Sequence, residues 1–145
     1  MKNLYLLIMA AVCIAMTSCD KDNGGDSSKV ITGRITMFEE FRFHNPNITL
    51  QWMSPDNFQI NRNGNVAFST TTGLVGSVSK IEDITALPSQ WLTYASECLC
   101  TPGLGYVLVL QGNSTFYYRL FFTETVKDGD QNIIGAKFKI QEHTF

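Results

Sequence analysis

The pair Cys98 and Cys100 has the residue types and the spacing that point most directly to chemistry. In an oxidising compartment, two nearby thiols form a disulfide. In an extended strand, however, the Cα atoms of residues i and i+2 lie about 6.5–7 Å apart. That distance is at the upper limit for a disulfide, so a bulge would be required. The alternatives are two packed, reduced thiols, or half of a zinc site completed by His44 and His143, whose positions match no usual zinc spacing. The sequence leaves the disulfide and the packed thiols open and predicts no metal site.

Asp128, Asp130 and Asn132 have the spacing that begins a calcium-binding loop. Such a loop continues with a glycine at its sixth position and ends with an acidic residue at its twelfth. This chain has Ile133 and Lys139 at those two positions. We therefore interpret the segment as a polar hairpin turn, and we expect no metal ion and no other cofactor.

Side chains that could form a catalytic set are few. The chain has two histidines, His44 and His143, and neither belongs to a recognisable Ser/His/Asp or Cys/His arrangement. The neighbouring acids Glu39-Glu40 and Glu82-Asp83 could act as paired carboxylates, but adjacent residues in a strand point to opposite faces. We interpret them as solvated charges. The sequence therefore predicts that the protein is not an enzyme, and a concave cavity containing two carboxylates or His44 would favour the opposite conclusion.

Aromatic residues are the remaining candidates for a binding site. The chain contains two Trp, five Tyr and ten Phe. Trp52, Trp91 and Tyr94 could form a platform on which a sugar ring stacks, provided that they are exposed. Packing in the core is the usual place of such side chains.

The N-terminal segment determines where these residues are located in the cell. Lys2 precedes an apolar run that ends in small residues, which is the layout of a secretory signal peptide. The run is about 15 residues long, shorter than the roughly 20 that cross a bilayer. Met16-Thr17-Ser18 directly before Cys19 resembles the lipobox of bacterial lipoproteins. This resemblance implies that residues 1–18 are removed, that Cys19 is lipidated, and that the lipid holds the protein at a membrane.

Residues 19–29 are polar and rich in Gly and Asp, which predicts a flexible tether. Lys21-Asp22 resembles the export signal of Bacteroidota surface lipoproteins, although Asn23 replaces the second acid. We expect an outer-membrane lipoprotein and leave its surface or periplasmic side open. The whole chain has 11 basic and 13 acidic side chains, and removal of Lys2 with the leader makes the net charge −3. This balance argues against a nucleic-acid partner.

Residues 30–145 are predicted to be one β-domain. Ile48, Leu50 and Trp52 alternate with more polar residues, as in a half-buried strand. Residues 105–110 are almost continuously apolar, which is typical of a central strand buried on both faces. In the last predicted strand, alternate residues face opposite sides of the sheet, Ala136, Phe138 and Ile140 on one side and Lys137, Lys139 and Gln141 on the other.

Turn signals complete this interpretation. Asn63-Gly64 favours a hairpin turn, so we expect strands near 58–62 and 65–70 to pair across it. Residues 91–95 are predicted to be a strand. Apolar residues spaced by three are compatible with one short helix within 77–87, which Pro88 would end. Regular short strands separated by turns predict an all-β fold, a small antiparallel sandwich or a barrel-like domain.

The C-terminal half contains a series of short motifs, which are Leu87-Pro88-Ser89-Gln90-Trp91, Pro102-Gly103-Leu104-Gly105-Tyr106-Val107, Tyr118-Arg119-Leu120, Ile134-Gly135-Ala136-Lys137-Phe138-Lys139 and the terminal Phe145. Through these motifs, roughly residues 75–145 are similar to an uncharacterised family of Bacteroidota lipoproteins, a domain of unknown function. The chain departs from the family pattern at Leu104, where a polar residue is expected, and at Thr144, where a proline is usual. The resemblance implies a secreted lipoprotein and supplies no activity.

These observations predict an envelope lipoprotein that acts as a non-catalytic binding or accessory module at the outer membrane. Its partner would be a glycan or a protein. The alternatives are a structural or assembly lipoprotein without a small-molecule ligand and, third, a hydrolase-type enzyme. An exposed cluster of aromatic side chains would favour ligand binding, whereas a smooth polar surface would favour the structural role.

Overall fold

The computed structural model describes residues 29–37, 39–44, 48–53, 57–62, 69–94 and 97–145. The predicted leader, Cys19 and all of the tether except Lys29 lie outside these residues, as do Asn63 and Gly64. The described residues form nine strands: β1 (Ile31–Thr36), β2 (Glu40–Phe43), β3 (Ile48–Met53), β4 (Asn57–Arg62), β5 (Ser69–Ser77), β6 (Gln90–Trp91), β7 (Leu104–Gln111), β8 (Thr115–Lys127) and β9 (Ile133–Glu142). In this part of the chain no helix is long and apolar enough to span a bilayer.

The strands form two antiparallel sheets. The larger sheet has the order β1-β9-β8-β7-β5-β6, and the smaller sheet has the order β2-β3-β4. The main hydrophobic core contains buried side chains from both sheets, so the two sheets pack against each other. Neither sheet closes on itself within the described residues. The fold is therefore an all-β, sandwich-like domain, which confirms the predicted fold class.

An aromatic cluster lies at the centre of this core. Phe122 of β8 has no exposed surface. Its ring centroid lies 5.2 Å from that of Phe58 in the smaller sheet, 6.1 Å from that of Tyr106 in β7 and 6.2 Å from that of Phe138 in β9. Edge-to-face and tilted pairs at these distances are favourable beyond their buried area. Phe122 of β8 thus contacts rings on three other strands, and these strands belong to both layers of the sandwich.

Strand β7 is buried on both faces, as its apolar sequence predicts. All residues from Gly105 to Leu110 are buried. Tyr106, Leu108 and Leu110 face the main core, whereas Val107 and Val109 belong to a second apolar cluster on the opposite face of the larger sheet. We call that opposite side the outer face.

The segment between β5 and β6 covers part of the outer face. Within the predicted helical range 77–87, the structure has a single 3-10 turn, Ile81–Asp83. The carboxylate of Asp83 accepts hydrogen bonds from the backbone N–H groups of Ser79 and Lys80, both at 3.1 Å. Ile81 and Ile84 are fully buried in the second cluster. This turn therefore holds the start of the segment that ends at Trp91.

Arg119 connects the segment between β5 and β6 to the larger sheet through a hydrogen bond. Its guanidinium is buried on the outer face, donates from Nη1 to the carbonyl oxygen of Ile84 at 3.2 Å, and donates from Nη2 to the side-chain oxygen of Gln141. Burial lowers the pKa of Arg119, and the charge of Glu82 opposes this shift. A buried arginine needs such acceptors because desolvation of its charge is costly. The hydrogen bond from Arg119 explains why Gln141 is buried, although Gln141 lies on the side of β9 that carries polar residues.

The predicted pairing across Asn63-Gly64 does not form between the described strands. β4 pairs with β3 in the smaller sheet, whereas Ser69 and Thr70 of β5 pair with Gln111 and Leu110 of β7 in the larger sheet. The chain therefore passes from one sheet to the other between β4 and β5. β5 instead pairs with the long apolar strand β7 along most of its length. The strand predicted over 91–95 is also shorter, since β6 contains only Gln90 and Trp91.

Candidate functional site

An aromatic groove lies on the outer face of the larger sheet, where β6 meets β5. Trp91 is 42% exposed and Leu87 is 46% exposed. The groove encloses about 160 Å³. We call it the Trp91 groove, and it is lined by Thr71, Leu87, Trp91, Val109, Gln111 and Tyr117. It combines two aromatic side chains with a hydroxyl and an amide, which is the usual composition of a small-ligand site.

The position of Trp91 is fixed by Gly73. Trp91 pairs with Gly73, and the next backbone N–H, that of Leu92, donates to the carbonyl oxygen of Thr72 at 2.9 Å. A Cβ atom at Gly73 would lie 2.3 Å from Cγ of Pro88 and 2.9 Å from two ring carbons of Trp91. Only glycine allows so close an approach of ring and backbone. The indole is thus packed on the strand on one side while much of its surface stays exposed.

Tyr94 is more exposed than Trp91 and lines a different cavity. It is 70% exposed. The turn that carries it is held by Glu97, whose carboxylate accepts from the backbone N–H groups of Thr93 and Tyr94 at 2.8 and 3.2 Å. The cavity of about 270 Å³ shares Thr71 with the Trp91 groove and is lined by Gln59, Ile60, Thr70, Thr71, Thr72, Leu92, Thr93, Tyr94 and Cys98. Trp91 and Tyr94 therefore lie on one short segment but line separate cavities, and they do not form a single platform.

Trp52 does not meet the condition of exposure on which its stacking role depends, and it is packed in the core, the usual place of such a side chain. The side chain is 6% exposed and belongs to the main core. Its spacing by two from Ile48 and Leu50, both fully buried, places all three on the inner face of β3. The same alternation in the sequence already indicated this burial.

Cys98 and Cys100 are both reduced thiols in the structure, and both are buried in the main core. The pKa of Cys98 is raised to about 11, mainly because the thiol is buried. A hydrogen bond with the side chain of Thr72 opposes this rise, and the charge of Glu97 adds to it. Such a thiol is a poor nucleophile, because the thiolate is the reactive form. Of the predicted alternatives, packed thiols are the arrangement that the structure contains.

The acidic segment at Asp128 forms the turn between β8 and β9. The carboxylate of Asp128 accepts from the backbone N–H groups of Asp130 and Asn132, both at 2.9 Å, and from the side-chain amide of Asn132 at 3.2 Å. These bonds lower the pKa of Asp128, with the Asn132 side chain as the largest cause. The carboxylate thus stabilises the hairpin turn. Among the described residues, no group of three or more His, Cys, Asp or Glu side chains is arranged to hold a metal ion.

A third cavity, of about 360 Å³, lies where β1 and β2 meet the ends of β8 and β9. It contains His44, whose Nδ1 lies 2.7 Å from the hydroxyl of Tyr118. The Tyr118 hydroxyl donates to the carboxylate of Glu142 at 3.1 Å. No pattern in the sequence indicated this cluster, because His44 and Tyr118 are 74 residues apart. Its lining residues are Lys29, Ile31, Phe43, His44, Tyr118, Ile140, Gln141 and Glu142, which we call the His44 cavity.

The His44 cavity meets the stated condition that would favour an enzyme, since it contains His44, and it also contains one carboxylate, that of Glu142. Its described lining includes no Ser, Thr or Cys that could act as a nucleophile. Burial and the neighbouring Glu142 raise the pKa of Tyr118 above its ordinary value, so the phenol keeps its proton at neutral pH. The cluster can hold protons and hydrogen-bond a ligand, but the geometry assigns no reaction to it.

Comparison with models of protein families, with curated proteins and with solved structures finds no match to this chain. The resemblance of residues 75–145 to a Bacteroidota lipoprotein family therefore stays a prediction. The fold and the site define the class of protein only as a two-sheet β-domain with an aromatic groove on its outer face and a polar-rimmed cavity at one end.

Proposed function

We propose that the protein is a lipid-anchored binding module of the bacterial cell envelope and that its Trp91 groove binds a carbohydrate. One observation carries the proposal: Trp91 is 42% exposed although its ring is packed against the backbone at Gly73. An exposed aromatic side chain that is already held in place loses little conformational freedom when a ligand binds.

The chemistry of the groove suits a sugar ring. The C–H faces of a sugar are apolar and stack on an indole or a phenol, here Trp91 and Tyr117. The sugar hydroxyls need donors and acceptors beside the stacking surface, which Thr71 and Gln111 can supply. A purely structural lipoprotein, the alternative role, would have no need for this combination of groups.

The binding test compares Trp91 with Tyr94. Binding of the purified protein to a panel of bacterial and host polysaccharides is expected to fall at least about fivefold in Trp91→Ala, because stacking on one aromatic ring is worth about 1–3 kcal/mol. Tyr94→Ala removes an even more exposed aromatic side chain from the neighbouring cavity and is expected to change binding less than about twofold. Equal losses in both variants, or a loss only in Tyr94→Ala, would show that the Trp91 groove is not the site.

The anchor has its own test, since Cys19 lies outside the described residues. In cells, Cys19→Ala is expected to remove lipid labelling and release the protein from the outer-membrane fraction, because the lipid is the proposed attachment. Protease treatment of intact cells that make the unaltered protein then determines whether the domain faces outward or the periplasm. A Cys19→Ala protein that stays membrane-bound and is cleaved at the same position would contradict the lipoprotein assignment.

A further inference from the structure

The His44 cavity differs in chemistry from the Trp91 groove and lies on the other side of the larger sheet. Its apolar wall consists of Ile31, Phe43 and Ile140, and Phe43 and Ile140 are buried in the main core between the sheets. Its charged groups are the ammonium of Lys29 and the carboxylate of Glu142. The volume of about 360 Å³ equals that of about twelve water molecules in the liquid. A ligand of several heavy atoms fits into this space.

Hydrogen bonds hold the carboxylate of Glu142 at the rim. The Tyr118 hydroxyl has one proton, which it donates to Glu142, so it accepts a hydrogen bond from Nδ1–H of His44. The backbone of His44 is in the left-handed region, with φ of 51°. Its imidazole ring packs against the ring of Phe116, and the two ring centroids lie 4.4 Å apart. This chain of contacts from β2 to β9 gives the carboxylate a defined position.

Three aromatic side chains, those of Phe43, His44 and Tyr118, line the same cavity as this carboxylate. The ring centroids of Phe43 and Tyr118 are 5.2 Å apart in an edge-to-face arrangement, and those of His44 and Tyr118 are 5.9 Å apart. Aromatic walls together with a carboxylate are the groups that recognise an ammonium ion, through cation–π attraction and charge-assisted contact. Lys29 at the same rim adds a positive charge that suits an anionic substituent on the same ligand.

We propose that the His44 cavity binds a small zwitterion, with its ammonium group at Glu142 and the aromatic rings and its anionic group at Lys29. The same chemistry occurs in a free solute and in the headgroup of a zwitterionic phospholipid. This site is independent of the Trp91 groove, so the proposal stands whether or not the groove binds a carbohydrate.

The test uses the full chain, purified in a nonionic detergent, and calorimetric titration with choline phosphate. Glycerol phosphate, which lacks the ammonium group, is the reference probe and is expected to bind at least about tenfold more weakly. Glu142→Gln is expected to weaken binding of choline phosphate at least about tenfold, since the charge-assisted contact is lost. The matched control is Glu124→Gln, the same substitution at a carboxylate that is 61% exposed and paired with Lys137. It is expected to change binding less than about twofold.

A second arm identifies the source of the ligand. If a zwitterionic phospholipid added to the micelles displaces choline phosphate, the ligand is a lipid headgroup; if it does not, the ligand is a free solute. Trp91→Ala is expected to leave both results unchanged. No binding of choline phosphate, equal binding of glycerol phosphate, or equal losses in Glu142→Gln and Glu124→Gln would overturn the proposal.

Discussion

Phe122→Ala is expected to lower the free energy of unfolding by about 3–5 kcal/mol, the usual cost of removing a fully buried phenylalanine ring. Phe122 contacts rings from both sheets, so its removal leaves a cavity that neither sheet can fill alone. Natural domains are stable by about 5–15 kcal/mol, so this loss takes away much of the total. Urea denaturation of the protein without its leader, followed by fluorescence, measures the change.

The matched control is Phe116→Ala on the same strand. Phe116 is only partly buried at the edge of the main core, so its loss is expected to cost about 1–2 kcal/mol. A cost below about 1 kcal/mol for Phe122→Ala, or a larger cost for Phe116→Ala, would show that the two sheets do not pack around Phe122.

Native Cys98 is expected to react with iodoacetamide at pH 8 at least about 100-fold more slowly than an exposed cysteine, because only the thiolate reacts. The pKa of Cys98 is raised from 9.0 to about 11, which reduces its thiolate fraction at that pH by about two orders of magnitude. Burial further slows entry of the reagent. Mass spectrometry of the chain from Asp20 onward, alkylated for increasing times, measures the rate.

The denatured protein provides the control. In denaturant without reductant, Cys98 and Cys100 are both expected to react at the ordinary rate, which gives two alkyl groups per chain. Fast alkylation of native Cys98 would contradict its burial. Absence of alkylation in denaturant until a reductant is added would show that the two residues form the disulfide that the sequence left open.

The sequence predicted the parts of the fold that depend on local pattern. The apolar run 105–110 indicated a strand buried on both faces, and the alternation of Ala136, Phe138 and Ile140 indicated one buried face of β9; both are confirmed. The choice of strand partner is not local. Asn63-Gly64 favours a hairpin by its own conformational preference, but β5 pairs with β7, which begins at Leu104, 27 residues after β5 ends at Ser77.

The candidate sites also depend on contacts that local sequence patterns do not predict. The position of Trp91 depends on its close approach to Gly73, and no pattern in the sequence brings these two residues together before the sheet forms. Burial of Trp52 could have been predicted from its alternation with Ile48 and Leu50. The His44 cavity combines residues from the first and the last parts of the domain, so only the fold reveals it.

The most direct test of the proposed function is fluorescence quenching of Trp91 with and without carbohydrate. Trp52→Phe leaves Trp91 as the one tryptophan in the chain and replaces a buried ring with a similar one. Acrylamide is expected to quench Trp91 readily in the unbound protein, because its indole is 42% exposed. A polysaccharide that binds is expected to reduce this quenching at least about twofold, since the stacked sugar covers the ring. Binding of a polysaccharide that leaves the quenching of Trp91 unchanged would contradict the proposed role of the groove.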